Sequence, residues 1–401
     1  MKTSQNRILT THTGSLPRPR ELLLPLHARD SGEPYDAAKL EQQIAAAIEA
    51  VVSRQIACGI DIVNDGEHGR ASFATYANTR IGGLEREMHP PKHIARPTRD
   101  SLEFPAVYEE MRKMFGARRA LTGRPEDAVS LVCTGPIKYV GHDQVKADID
   151  YLKAAIKGRN VEEAFVTGIS PTNLEMYFEN RYYKTEEEYL YALADAMREE
   201  YKAVVDAGFI LQIDDPRLIT HYNRIPDLSL EDNRKFMELR VEVLNHSLQG
   251  IPEDRVRFHT CYSINVAPRV HDLELKHYAD LMLKVRAQAY SIEAANPRHE
   301  HEWQIWKEMK LPDHKILIPG VVSHCVYQVE HPEIVAERIE KFAGVVGRER
   351  VIAGTDCGFA SARAGDEVHP DVAWAKLKAL TQGAEIASSR LWQKAARRAA
   401  G

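Results

Sequence analysis

The sequence predicts an α/β fold of the TIM type, a (β/α)8 barrel with insertions. Short apolar strand signals alternate with longer stretches whose apolar residues recur at three-to-four spacing. A strand, helix, strand rhythm of this kind implies a parallel sheet with crossover helices. Many of the strand signals also end in polar residues able to do chemistry: His12, Glu67, Asp214, His259, Cys261, Glu293 and Cys357. Reactive groups at the C-terminal ends of many different strands are what a barrel displays. An open doubly wound sheet, the alternative, gathers its site at one or two switch points.

The candidate strands are Ile8–His12, Asp61–Asp65, Ser130–Thr134, Ala164–Gly168, Phe209–Asp214, Arg257–Cys261, Tyr290–Glu293, Lys315–Pro319 and Val351–Gly354. That is one more than the barrel needs, so one of them is peripheral. Between them, Ala37–Ala57, Glu186–Ala207, Leu230–Leu248 and Pro332–Val346 carry the clearest helical periodicity. Two segments interrupt the rhythm. Glu85–Asp127, with Pro90, Pro91, Pro97 and many charges, is a long insertion suited to a lid or an oligomer contact. The tyrosine-rich stretch Tyr177–Tyr191 is expected to border the site. The basic, Ala-rich end, Gln393–Gly401, reads as frayed. The whole chain, 1–401, is taken as a single catalytic domain.

Composition narrows the function. A hydrophobic fraction of 44% in 401 residues is enough for a large core. The net charge of −5, without a basic stripe, argues against a nucleic-acid partner. No apolar run approaches the roughly 20 residues of a membrane helix, and the polar start lacks the apolar core of a signal peptide. The expected location is the cytoplasm. Five cysteines, an odd number, argue against a disulfide framework. In a reducing compartment they serve as ligands, nucleophiles or core residues.

His259-Thr260-Cys261 is the strongest local signal. Residues two apart on a strand point to the same side, so an imidazole and a thiol are aimed at one place. Alone, such a pair is more often core. In a barrel, however, Glu293 after the next strand and Cys357 in the Gly-bounded turn Gly354–Gly358 converge on the same face. One His, two Cys and one Glu form a borderline-soft tetrahedral set suited to Zn2+. The plain alternatives are a structural pair between Glu293 and Arg298, and a buried apolar role for Cys357.

The chain resembles the catalytic barrel of the cobalamin-independent methionine synthase superfamily in its short, single-barrel form. The resemblance rests on Thr11-His12-Thr13-Gly14-Ser15-Leu16-Pro17-Arg18-Pro19, Asp65-Gly66-Glu67, Thr167-Gly168, Gln212-Ile213-Asp214-Asp215-Pro216, His259-Thr260-Cys261, Ser291-Ile292-Glu293 and Asp356-Cys357-Gly358, in family order. It implies zinc held by His259, Cys261, Glu293 and Cys357, with Glu293 the ligand that yields to an incoming thiol. It also implies backbone and hydroxyl contacts to that thiol's body from Gly14 and Ser15, and a clamp of Glu67 and Asp214 on the ammonium group of homocysteine. The implied reaction is S-methylation of homocysteine or a similar thiol, with a small-molecule thiol and an alkyl donor as partners.

Three departures from the family pattern bear on the donor, the proton carrier and the thiol. No tryptophan follows Thr167-Gly168, where the pterin stacks in folate-using members; this favours a methyl donor other than the usual polyglutamyl methyltetrahydrofolate. No acid follows Gly320-Val321-Val322, which leaves His324 as the candidate proton carrier, partnered by Asp215. Arg217 follows Asp214-Asp215-Pro216, where it suits a carboxylate or a sulfonate. The sulfonate raises an alternative, thiol alkylation like that of epoxyalkane:coenzyme M transferases, for which Arg18, Arg70 and Arg217 are candidate tail contacts. A non-catalytic zinc site on a barrel is a third reading.

Overall fold

A computed structural model describes residues 1–89, 97–120, 130–262, 267–360 and 368–399. Its strands are β1 (Leu9–Thr10), β2 (Ile62–Val63), β3 (Ile81–Glu87), β4 (Ser130–Tyr139), β5 (Glu163–Ile169) and β6 (Phe178–Asn180). They are followed by β7 (Ile210–Asp214), β8 (Val256–His259), β9 (Ala289–Ile292), β10 (Ile316–Val322) and β11 (Ile352–Thr355). Eight of these form one sheet in the order β1-β11-β10-β9-β8-β7-β5-β2, and every pairing in it is parallel. Its two edges meet, because the Asp61 amide donates to the Thr10 carbonyl (3.2 Å) and the Thr11 hydroxyl donates to the Ile62 carbonyl (3.1 Å). The result is a nearly closed barrel.

The surplus strand signal is Ser130–Thr134. It belongs to β4, which pairs antiparallel with β3 and parallel with β6 in a separate three-stranded sheet. Its alternating burial is that of a strand covered on one face, not of a barrel stave buried on both. Neither β3 nor β6 is among the sequence-predicted strands.

The barrel interior is a layer of side chains drawn from different strands: Leu9, Ile62, Phe165, Ile210, Ala289, Ile316, Ile318 and Ile352. Strand β8 contributes Arg257 instead. Its fully buried guanidinium lies 3.6 Å from the Phe165 ring centroid. It donates to Gln212 Oε1 (2.6 Å), Thr11 Oγ1 (2.9 Å) and the His12 carbonyl (2.5 Å). Burial holds this guanidinium down to about 9. A larger core fills the space between the strands and the surrounding helices.

The four predicted helices are present as Ala37–Cys58, Glu186–Asp206, Leu230–Ser247 and Pro332–Val346. Their starts follow the side-chain chemistry. Asp36, Thr185 and Ser229 each accept a hydrogen bond from a first-turn amide, and Gly59 ends the first helix at φ +87°. The C-terminal helix runs from Pro370 to Ala399, so the chain end read as frayed is helical through Ala399; residues 400 and 401 lie outside the described residues.

Part of the predicted insertion, 90–96 and 121–127, also lies outside the described residues. Its described part includes the helices Arg99–Glu103 and Pro105–Ala120. The first docks on the loops after β7 and β8. Arg99 donates to the carbonyls of Tyr222 (2.9 Å), Ile225 (3.2 Å) and Leu228 (2.5 Å), and Asp100 accepts from the His271 amide (3.1 Å). No helix among the described residues is long and apolar enough to cross a membrane.

Candidate active site and metal centre

The C-terminal ends of the barrel strands carry most of the residues singled out in the sequence. His259 closes β8 and Cys261 lies two residues beyond it. Cys357 lies two residues beyond β11, so the two segments approach across the mouth of the barrel. The ligand atoms of His259, Cys261 and Cys357 all lie within 4.8 Å of one another, and the two sulfurs are 3.3 Å apart. All three residues are buried. His259 Nδ1 is 3.2 Å from the Ser291 hydroxyl, while Nε2 is buried with no hydrogen-bond partner among the described residues. Burial pushes the imidazole down to about 3, keeping it in the neutral form that ligates metals. An orphaned nitrogen facing two thiols, with its other nitrogen held by a hydroxyl, fits a soft or borderline metal ion.

Glu293, the fourth sequence-predicted ligand, follows β9 but stands outside this group of three. Its Oε1 accepts from the Tyr262 amide (2.6 Å), and its Oε2 from Arg269 (2.9 Å) and Asn296 (2.6 Å). Arg269, not Arg298, is therefore its ionic partner; Arg298 donates to the Val270 carbonyl. Among the described residues, Arg269 is one of two non-glycine residues at positive φ (59°), the other being Glu67 (57°). Such backbone costs energy and persists where surrounding contacts over-determine it.

The neighbouring wall holds the predicted thiol-binding residues. Gly14 sits against Glu67 and Thr167: a Cβ there would lie 2.9 Å from both Glu67 Oε1 and Thr167 Cγ2. The Ser15 carbonyl accepts from the Phe359 amide (2.8 Å), which ties this turn to the Cys357 loop. Thr167 donates to Glu67 Oε1 (3.3 Å) and itself accepts from Arg70 (3.0 Å). Arg18 lies 3.6 Å from Glu67 Oε2 and donates to the Glu67 carbonyl (3.1 Å). Gln212 donates to Asp214 Oδ1 (2.6 Å) and to the Thr13 carbonyl. Burial, and then the charge of Glu67, raise Asp214 well above the usual carboxylate range; burial likewise raises Glu67, with Arg18 and Arg70 opposing. A buried carboxylate raised by a neighbouring one favours the arrival of a cation.

Other predicted residues are placed differently. Asp215 Oδ1 accepts from Asn173 (3.1 Å) and from the Leu218 amide (3.2 Å), so it secures the start of the helix Arg217–Arg224; burial raises it to about 7. His324 is fully buried, with Nε2 2.9 Å from Cys325 Sγ. Arg217 is directed to Glu175 (3.7 Å), on the helix that follows β5. His12 is structural: Nε2 meets Gln55 Oε1 (2.9 Å) and Nδ1 accepts from the Gly14 amide (3.2 Å).

Sequence reasoning missed Asp356. Its Oδ1 accepts from the amides of Ala294 (2.7 Å) and Ala295 (2.9 Å), locking the Cys357 turn to the segment after Glu293. Its place beside Cys357 between two glycines was the available signal. Ser291, which bonds His259, stood in the Ser291-Ile292-Glu293 motif without a role of its own, and Arg269, which bonds Glu293, carried no signal.

The fold and this site define a class: parallel barrels with a His–Cys–Cys group at the C-terminal mouth. The family model for the catalytic domain of cobalamin-independent synthases matches residues 178–379, half of the chain, and the chain belongs to that family. It is 24% identical over 387 residues to a methionine synthase of Thermococcus kodakarensis, covering 95% of this chain and 94% of that protein. It is 23% identical over 351 residues to a methionine synthase of Sulfolobus acidocaldarius, covering 87% and 85%. The structure of a B12-independent methionine synthase from Shewanella sp. W3-18-1, in complex with selenomethionine, superposes with a TM-score of 0.71 at 20% identity. That match covers 96% of this chain and 99% of the other.

Proposed function

We propose that this protein is a zinc-dependent methyltransferase that methylates the sulfur of homocysteine. The observation that carries the reading is the convergence of His259, Cys261 and Cys357 beside the buried carboxylates Glu67 and Asp214. The names of its relatives support it. His259, Cys261 and Cys357 would hold the zinc, with Glu293 as the exchangeable fourth ligand. Bound there, zinc supplies the Lewis acidity that lets a thiol lose its proton near neutral pH.

The chain's own residues do the positioning. Glu67 and Asp214 hold the substrate ammonium, and Gly14 leaves room for its body against Thr167. Ser15 fixes the turn beside the Cys357 loop. Arg269, Asn296 and the Tyr262 amide orient the Glu293 carboxylate beside the group of three and would hold it there whenever it is not a ligand. His324, buried beside the cluster, is the group assigned to carry a proton. The methyl donor is a molecule other than the usual polyglutamyl methyltetrahydrofolate. Where the pterin stacks in folate users, this chain has the Pro171–Tyr177 helix, whose Glu175 pairs with Arg240 (2.8 Å). The expected location remains the cytoplasm.

Thiol alkylation of coenzyme M is disfavoured by the surroundings of two of the three arginines named for it. Arg70 is committed to Thr167 and Asp148, and Arg18 to Glu67 and the Ala360 carbonyl. Calorimetric titration of the zinc-loaded protein with homocysteine, and separately with coenzyme M, separates the two. Homocysteine binding with release of about one proton is expected. Binding of coenzyme M alone would overturn the assignment.

A further inference from the structure

A cavity of about 440 Å³ opens between the helix that follows β7 and the small sheet. None of the candidate metal ligands lines it. Arg217, His221 and Arg224, one helical turn apart on Arg217–Arg224, form one wall; Glu175, Tyr177 and Lys184 stand across from them.

Among the described residues, the cations of this wall are not hydrogen-bonded by the carboxylates nearby. Of the three carboxylates that line the cavity, Glu175 and Glu186 are drawn to Arg240, at 2.8 Å and 2.5 Å, and Glu179 to Arg181, at 3.0 Å. Arg217 approaches Glu175 only to 3.7 Å, beyond hydrogen-bond reach. Arg217 Nε, Arg224 Nε and His221 Nδ1 are buried without a hydrogen-bond partner among the described residues. The His221 ring stacks on Phe236 with centroids 3.6 Å apart, so its edge is fixed in place. Burial and the three surrounding guanidiniums press this imidazole down to about 3, and burial lowers Arg217 as well. A buried donor left without a hydrogen-bond partner is costly, and these groups edge one cavity. A planar guanidinium is also the side chain best shaped to grip a carboxylate or a phosphate by two parallel hydrogen bonds.

We infer that this cavity is a binding subsite for the anionic group, carboxylate or phosphate, of a small molecule, gripped by Arg217 and Arg224 with His221 as a further hydrogen-bonding partner. The aromatic and thioether surface of Tyr177 and Met176 gives the body of such a molecule an apolar seat. The subsite stands on its own residues and does not require the methyl-transfer reading. If that reading holds, the position beside the barrel mouth suits the anionic end of the second substrate.

The test is calorimetry of the full-length protein against inorganic phosphate and, separately, succinate, in a non-coordinating cationic buffer at low and high sodium chloride. At least one probe is expected to bind at a single site, more weakly at high salt. Arg217→Met and Arg224→Gln should each weaken it tenfold or more while zinc content stays at the wild-type level. Binding of phosphate alone or of succinate alone identifies the chemistry of the natural ligand. No binding of either probe overturns the inference, and so does undiminished binding in Arg224→Gln. Should Arg217→Met fail to fold, as judged by circular dichroism, Arg217→Lys takes its place. It keeps the charge but not the paired donors, and a loss of affinity is again required.

Discussion

At the scale of single residues, the site depends on side chains whose replacement changes one property at a time. Cys261→Ser and Cys357→Ser each remove a soft ligand from the group of three. Each is expected to lower zinc affinity by at least 10–100-fold and to abolish turnover, while far-ultraviolet dichroism shows an intact barrel. Normal turnover in either variant would sink the mechanism. Asp214→Asn removes a charge but keeps a similar shape. Thiol affinity should fall about tenfold, roughly 1.4 kcal/mol, with little change in zinc content; an unchanged thiol affinity would rule out the ammonium clamp. Gly14 lies at φ +145°, where L side chains are strained, and its missing Cβ is the space between Glu67 and Thr167. Gly14→Ala should therefore lose roughly 1–3 kcal/mol of stability, seen as a lower midpoint in urea, and should bind the thiol more weakly.

At the scale of elements, a buried ionic network joins the small sheet to the barrel. Asp148, on the helix His142–Ile156, meets Arg80 at 2.6 Å and Arg70 at 3.4 Å. Glu200, on the helix Glu186–Asp206, accepts from Arg80 (3.1 Å), Tyr76 (2.7 Å) and Tyr139 of β4 (2.7 Å). Arg70 continues the chain to Thr167 and so to Glu67. The network thus connects the packing of helices behind the barrel to the position of a carboxylate in front of it. Asp148→Ala leaves two buried guanidiniums short of a partner. A loss of about 3–5 kcal/mol is expected, read as a fall in the thermal midpoint, together with a rise in KM for the thiol larger than any change in kcat. A variant as stable as the parent would show that water replaces Asp148 at no cost.

At the scale of the whole molecule, stability should depend on pH through His299. This buried imidazole bridges Asp272 (3.2 Å) and Glu302 (2.9 Å) and stacks on Tyr262, with Arg269, Tyr278 and Glu293 close by. Burial lowers its pKa, but the hydrogen bonds to Asp272 and Glu302 outweigh that and raise it from 6.5 to about 9. The folded state thus holds this proton more tightly than the unfolded chain does. The contribution is complete below pH 6.5, declines as pH rises, and is lost above pH 9. Its size is about 3 kcal/mol at about 1.4 kcal/mol per pH unit. Urea midpoints measured from pH 6 to pH 9.5 should fall across that window, and His299→Gln should flatten the fall. An equal slope in the variant would place the pH dependence elsewhere.

The strand and helix rhythm, the parallel sheet, the barrel and the residue types at its mouth were all legible in the sequence. They depend on periodicity and on the spacing of side chains along one strand or turn, which are local properties of the chain. What only the tertiary structure decided were choices between partners distant in sequence. Ser130–Thr134 reads as a barrel strand, but it pairs with β3 and β6 because the barrel closes through β2 and β5 without it. Glu293 pairs with Arg269 and not Arg298, because a positive-φ turn brings the former to its carboxylate. Arg257 alternates with the apolar residues of β8 and gave no sign that it fills the barrel interior. Pattern specifies which face of an element is buried, whereas closure of the sheet and the reach of long side chains select which buried groups meet.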